Sequence, residues 1–160
     1  MRMRQREKAY SSTQLKEYMP EYVNRLTYVE RRTGSVLRQT LHTIVTDSKS
    51  LLYLRDFSID SEQLVQAALQ EGEKATFKLN ALLEIQNRLE KMSKLRDREP
   101  EKRWQAHYDL MLAQTVAFEV IAYEYRALMA SIVKSPPVPK QPAGPNTVIT
   151  WRVEIGRAHV

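Results

Sequence analysis

Apolar residues recur every three or four positions over three long stretches of this chain, the spacing that places them on one face of an α-helix. The first stretch follows Pro20 in "EYMPEYV". A proline suits the first turn of a helix, because the N–H it lacks would have no partner there. Tyr22, Leu26, Val29, Thr33, Leu37, Leu41, Ile44, Ser48 and Leu51 then carry the stripe. Gly34 lies inside it, and a penalty of about 1 kcal/mol relative to alanine is too small to break so long a pattern. Ahead of Pro20, "SSTQLKEYM" predicts a short separate helix starting at Ser11 or Ser12.

The segment "RDFSID" interrupts the pattern, and Asp60 or Ser61 caps a second helix, with Gln63 in a capping-box position. Its stripe runs through Val65, Ala68, Gly72, Ala75, Leu79, Leu82, Gln86 and Leu89. The small residues Ala68, Gly72 and Ala75 let a neighbouring backbone approach. This helix is expected to end in "KLRDREPEK". Pro100 then marks the first turn of a third helix, capped by Asp97 or Glu99.

The third stripe is the cleanest: Trp104, Tyr108, Met111, Thr115, Phe118, Ala122, Tyr125, Met129 and Ile132 step alternately by four and three, a heptad pattern. It stops at "SPPVPKQPAGPN", which is too proline-rich for anything but extended chain. "TVITWRV" then alternates like a strand, Val148, Thr150 and Arg152 on one side, Ile149, Trp151 and Val153 on the other. Short connections make consecutive helices antiparallel neighbours. The expected fold is all-α: an up-down-up bundle of three long antiparallel helices, each about 50 Å long, with a short N-terminal helix and a Pro-rich extended tail. Residues 1–10 form a basic lead-in, 11–134 the bundle, 135–146 the linker, and 147–153 the strand-like start of a further region. The closing residues 154–160 fit none of these patterns.

Composition narrows the class. Of 160 residues 42% are hydrophobic, the mean hydropathy is −0.51, and only four are glycine; this suits helices better than a turn-rich sandwich or barrel. There is no cysteine, which removes disulfides, thiolate metal sites and thiol nucleophiles. No apolar run approaches the roughly 20 residues of a membrane helix. If Met1 is the true start, the basic N-terminus has no apolar stretch after it and does not read as a secretory signal. The net charge of +6 is spread among interleaved acids, as on a solvated helix surface.

Candidate chemistry is sparse. A di-iron bundle needs Glu-x-x-His pairs, but Gln39 precedes His42 and Trp104 precedes His107 at that spacing. No metal or cofactor is expected. Phosphate loops, a nucleophile elbow and H-E-x-x-H are absent from the sequence. Glu119, in "TVAFEVIAYEY", is the most interesting single residue, a carboxylate beside the Phe118 stripe and flanked by apolar groups, either a general acid or base with a raised pKa or half of an ion pair with a neighbouring helix. His107, Tyr108 and Asp109 are adjacent in sequence but point about 100° apart on a helix, so they do not converge. Nucleic-acid binding needs a concentrated basic face. "KMSKLRDREPEKRW" is diluted by acids, whereas Arg2, Arg4, Arg6 and Lys8 are opposed only by Glu7.

Read together, "RWQAHYDLMLAQTVAFEVIAYEYRALM", "PPVPKQP", "PN" and Trp151 resemble a helical region of large uncharacterised bacterial proteins, some with a von Willebrand factor A domain elsewhere. The resemblance covers about residues 103–151 and brings no functional residues. The metal loop of an A domain needs D-x-S-x-S, whereas "TDSKS" has Lys49 where the first serine belongs. The resemblance implies an accessory, interaction-type segment of a longer protein. "EIGRAHV" is similar to the translation of a sequencing adapter, which implies that residues from Ile155, or from Glu154, are foreign and that His159 carries no functional weight; a native frayed tail is the alternative.

The expected function is a non-enzymatic helical module for interaction or scaffolding, with a protein partner or a second copy meeting Leu112, Ile121, Leu128 and Val133 on the third helix. The alternative is a nucleic-acid or anionic-surface binder using Arg2, Arg4, Arg6 and Lys8. An enzyme built on Glu119 ranks third.

Overall fold

A computed structural model describes residues 12–20, 22–47, 53–138 and 150–153. Among them the chain is mostly helical: α1 (Ser12–Lys16), α2 (Arg25–Thr33), α3 (Val36–Asp47), α4 (Ser61–Lys91), α5 (Ser93–Arg98) and α6 (Lys102–Lys134), with two short strands, β1 (Asp56–Ser58) and β2 (Thr150–Arg152). No helix among the described residues is long and apolar enough to cross a membrane. The basic lead-in, with Arg2, Arg4, Arg6 and Lys8, and the closing residues 154–160 lie outside the described residues, as do Ser48, Leu51 and most of the Pro-rich stretch.

The frame is an antiparallel hairpin of α4 and α6. Leu64 packs with Ile132 and Leu79 with Ala122, while the Tyr108 hydroxyl donates to the Leu89 carbonyl at 2.7 Å, so one helix descends as the other rises. Ala68 and Ala75 are fully buried, and a Cβ on Gly72 would meet the Met129 Cβ at 3.6 Å, so small residues on α4 do bring the two helices close. Eight of the nine stripe positions on α6 are buried; Phe118 is 39% exposed, at a groove it shares with Ile44 and Val45 near the end of α3. Asp60 caps α4 as expected, its Oδ1 accepting from the Gln63 N–H at 2.9 Å. The reciprocal bond of a capping box is not made by Gln63, since the Asp60 N–H donates to Ser58 Oγ instead. Asp60→Ala is expected to destabilise the protein by about 1 kcal/mol in urea unfolding, the usual effect of losing an N-cap acceptor.

The first stripe behaves differently from its pattern. Pro20 stays outside the helix, which begins at Arg25 with Asn24 as its cap, the Asn24 side chain accepting from the Thr27 N–H at 2.9 Å. The helix then breaks at Gly34. Thr33 Oγ1 donates back to the Val29 carbonyl, Gly34 N–H closes on Glu30, and Ser35 Oγ accepts from the Arg38 N–H to start α3. Gly34 itself has ordinary helical angles (φ −71°, ψ −8°), so local capping by Thr33 and Ser35 makes the break, not a left-handed glycine. Beyond the break Leu37, Leu41 and Ile44 are buried, but Tyr22 and Leu26 are 88% and 82% exposed.

Between α4 and α6, Met92 ends one helix and α5 starts at Ser93. Pro100 does not open α6. Glu99 is held extended, as a residue before proline prefers, and α6 starts at Lys102 after Glu101. "RDFSID", expected only as an interruption, contains a strand: β1 pairs antiparallel with β2, Phe57 opposite Trp151, and Arg152 Nε donates to Asp56 at 2.8 Å. Phe57 and Val153 are buried and Trp151 half-buried, while Thr150 and Arg152 face out, the alternation read from "TVITWRV".

Candidate functional site

Two polar clusters are buried against the hairpin. The first lies where the chain enters β1. Glu71 sits on the apolar face of α4, three residues after Ala68 and four before Ala75, so helix geometry turns a carboxylate into the core. Fully buried Tyr125 shares its one hydroxyl proton between two acceptors, the Leu54 carbonyl at 2.9 Å and Glu71 Oε2 at 3.2 Å. Lys74 donates to Glu71 Oε1 at 2.7 Å. The Tyr53 ring packs on Tyr125 with centroids 4.6 Å apart, and Lys78 Nζ lies 4.3 Å from the Tyr53 ring centre.

Burial alone would push the Glu71 carboxyl up. The Lys74 hydrogen bond and charge, with the Tyr125 hydroxyl and a backbone bond from Leu54, outweigh it and hold the group below its ordinary value. Burial, and then the negative charge of Glu71, push the Tyr125 phenol well up. The carboxylate therefore stays charged and the phenol neutral through neutral pH. That combination fastens the Leu54 segment to the hairpin and does not favour proton transfer between the two.

The second cluster braces the opposite end. Arg38, on α3, donates Nε to Glu99 at 3.2 Å and Nη2 to both Glu99 and Glu101, the latter at 2.8 Å. The guanidinium also lies 5.3 Å from the Trp104 ring centre. The Glu99 hydrogen bond raises the Arg38 pKa further, although burial opposes it. The Glu99 carbonyl accepts from Gln105 Nε2 at 2.6 Å, so this cluster fixes how the chain enters α6. Beside it Tyr28, Arg31, Arg32 and Arg103 border Trp104.

Glu119 stands apart from both. Its Oε1 is buried with no hydrogen-bond partner among the described residues. Burial raises its pKa, and the charge of Glu90 adds to the effect. No basic side chain among the described residues forms an ion pair with it.

His107, Tyr108 and Asp109 diverge, as helix geometry requires: His107 is exposed beside Trp104, Tyr108 is buried, and Asp109 pairs with Arg96. His42 is exposed on α3. No three histidine or acidic side chains among the described residues come together as a metal site.

The hairpin has two unlike faces. On one, α3 and the ribbon lie over it. Ile44 and Val45 share a groove of about 190 Å³ with Ile85, Gln114 and Phe118, and Phe57 and Trp151 border a hollow of about 310 Å³ with Leu128 and Ser131. Lys78 and Ile85 are seven residues apart, as are Gln114 and Ile121 and then Leu128, so each set follows one line along its helix. The other face carries Leu69, Thr76 and Leu83 on α4 and Leu112, Val116, Glu119 and Tyr123 on α6, again at three-, four- or seven-residue spacing. Leu69, Leu83, Val116, Val120 and Tyr123 are 41–58% exposed there.

The four residues expected to form one surface thus fall on both faces. Leu112 packs partly against the core around Trp104 and Tyr108, and Val133 against that around Phe57, both on the open side. Ile121 and Leu128 belong to the covered side, Leu128 at the rim of the hollow beside Trp151. Sequence reasoning passed over Leu69, Leu83, Val116, Val120 and Tyr123, although their spacing at the flank of each stripe was legible. Comparison with protein-family models, curated proteins and solved structures finds no match for this chain.

Proposed function

We propose that the chain is a non-enzymatic helical interaction or scaffolding module and a segment of a longer bacterial protein. The observation that carries this reading is the open face of the α4–α6 hairpin, where Leu69, Leu83, Val116, Val120 and Tyr123 lie exposed side by side over two helices. Exposed apolar side chains gathered on one face of two helices favour association with another polypeptide. In the unit envisaged, α2 and α3 form the first arm of an up-down-up arrangement, and the Pro-rich residues 135–146 serve as an extended spacer.

A photo-crosslinking residue at Val116, placed in the protein within its own organism, is expected to give several-fold more polypeptide adducts than one at exposed Glu124 on the outer side of the same helix. Equal yields at the two positions would remove the support for this reading. A second reading, binding to a nucleic acid or another anionic surface through Arg2, Arg4, Arg6 and Lys8, draws support from the basic corner of Arg31, Arg32 and Arg103 beside Trp104. It requires affinity for single-stranded DNA that falls steeply as salt rises.

A further inference from the structure

We propose that the open face of the hairpin pairs with a second copy of this chain, α6 against α6 in antiparallel register, with Glu119 of each copy meeting Arg126 of the other. This rests on the reading of that face as an association surface and names its partner.

Two charges on the α6 side of this face lack counter-ions among the described residues. Glu119 forms no ion pair among the described residues; its Oε1 is buried without a partner, which leaves Oε2 as the oxygen that a second chain can reach. The Arg126 guanidinium lies 5.4 Å from the ring centre of exposed Tyr123, and no described carboxylate forms an ion pair with it. The two residues are seven positions apart on one helix face, about 10 Å along the axis, too far to reach each other. An antiparallel copy related by a two-fold axis between Ala122 and Tyr123 brings each carboxylate level with a guanidinium, twice by symmetry. The same operation sets Leu112 against Val133, two flank residues that sit on this side of α6.

The second helix has the same symmetry. Leu69 and Leu83 lie seven residues either side of Thr76, whose hydroxyl is already spent on the Gly72 carbonyl and leaves that position effectively apolar. Gly72 faces Met129 and Leu79 packs with Ala122, so Thr76 lies within about a turn of the level of the proposed axis. Two-fold pairing therefore brings Leu69 to within about 8 Å, along the helix axis, of the level of Leu83 of the other copy while the Glu119–Arg126 pairs form on α6. Two hairpins stacked in this way give a four-helix arrangement with its apolar faces inside. A partner of unrelated sequence would need to supply both a base and an acid at this spacing; a second copy has them already.

The test is a charge-reversal series on the full chain, with mass read by sedimentation over a range of concentrations and helicity checked by circular dichroism. Glu119→Arg and Arg126→Glu singly set like charges together at two places and are expected to weaken dimerisation about tenfold or more. Glu119→Arg combined with Arg126→Glu is expected to restore it. Because the chain has no cysteine, a mixture of Glu119→Cys and Arg126→Cys chains gives an independent readout: a disulfide-linked heterodimer should form in preference to either homodimer. A wild-type dimer insensitive to the reversals, or a preference for homodimers of the Glu119→Cys chain, would overturn the register. A monomer at every concentration would overturn self-pairing; adducts from Val116 to another polypeptide would then leave the association reading standing, and their absence would remove both.

Discussion

Tyr125→Phe is expected to destabilise the protein by about 2 kcal/mol, and Tyr125→Ala by about 4–5 kcal/mol, in equilibrium urea unfolding. The phenylalanine keeps the packing and removes one hydroxyl. That hydroxyl serves the Leu54 carbonyl and lies against buried Glu71, and a buried polar group left without its partner costs about 1–3 kcal/mol. Alanine adds a cavity at a fully buried ring stacked on Tyr53, for which aromatic truncations lose about 3–5 kcal/mol. The pH profile separates this latch from simple packing. The folded state holds the Glu71 carboxyl below its ordinary 4.5, so its contribution is complete above that value and is lost as the pH falls through the lower, folded value. In Tyr125→Phe one of the groups holding it down is gone, so the folded value rises and less stability remains to be lost in acid. Unfolding free energies between about pH 7 and pH 3 should therefore converge for the wild type and this variant; parallel curves would show that the hydroxyl does not act through Glu71.

Arg38→Met is expected to cost about 3 kcal/mol, because it strands the Glu99 carboxylate, only 4% exposed, without the guanidinium that neutralises it. Glu99→Leu alone should cost less, since Arg38 keeps Glu101. The double variant Arg38→Met, Glu99→Leu should recover much of the loss, as replacement of a whole buried pair by apolar groups often does. Arg38→Lys keeps the charge but not the two-pronged geometry, and is expected to fall between methionine and arginine. A thermodynamic cycle over wild type, the two single variants and the double variant checks this; additive losses would mean that the two side chains stabilise the α6 entry independently.

The parts of the fold that were legible in the sequence are those set by local periodicity. The α6 stripe has one outcome on a helix, and Trp104 through Ile132 fall inward with Phe118 as the exception, at the groove it shares with Ile44 and Val45. The first stripe had the same periodicity but not the same outcome. Thr33 and Ser35 offered their own hydroxyls to the backbone at Gly34, and a side-chain capping bond decided where one helix stopped and the next began. Contacts between distant segments were beyond reach. Asp56 and Arg152 are 96 residues apart, and Tyr125 and Leu54 are 71 apart, so neither the ribbon nor the latch leaves a local trace. Glu71 did leave one, a carboxylate three residues after Ala68 and four before Ala75, although the stripe itself runs through its neighbour Gly72. Of the expected surface, Leu112 and Val133 sit on the open side and Ile121 and Leu128 on the covered side, because periodicity marks both flanks of a stripe equally and only the path of α3 and the ribbon tells them apart.

Tyr123 and Tyr125 provide the most direct test of the central claim, that α6 carries core on one side and an association surface on the other. They are two residues apart on one helix, with the same chemistry, at 58% and 0% exposure. Hydroxyl-radical footprinting of the dilute purified chain should modify Tyr123 readily and leave Tyr125 protected. In the protein within its own organism, Tyr123 should become protected as well. Equal reactivity of the two in the dilute chain would contradict the fold, and a Tyr123 that stays as reactive in the cell as in dilute solution would contradict the association surface.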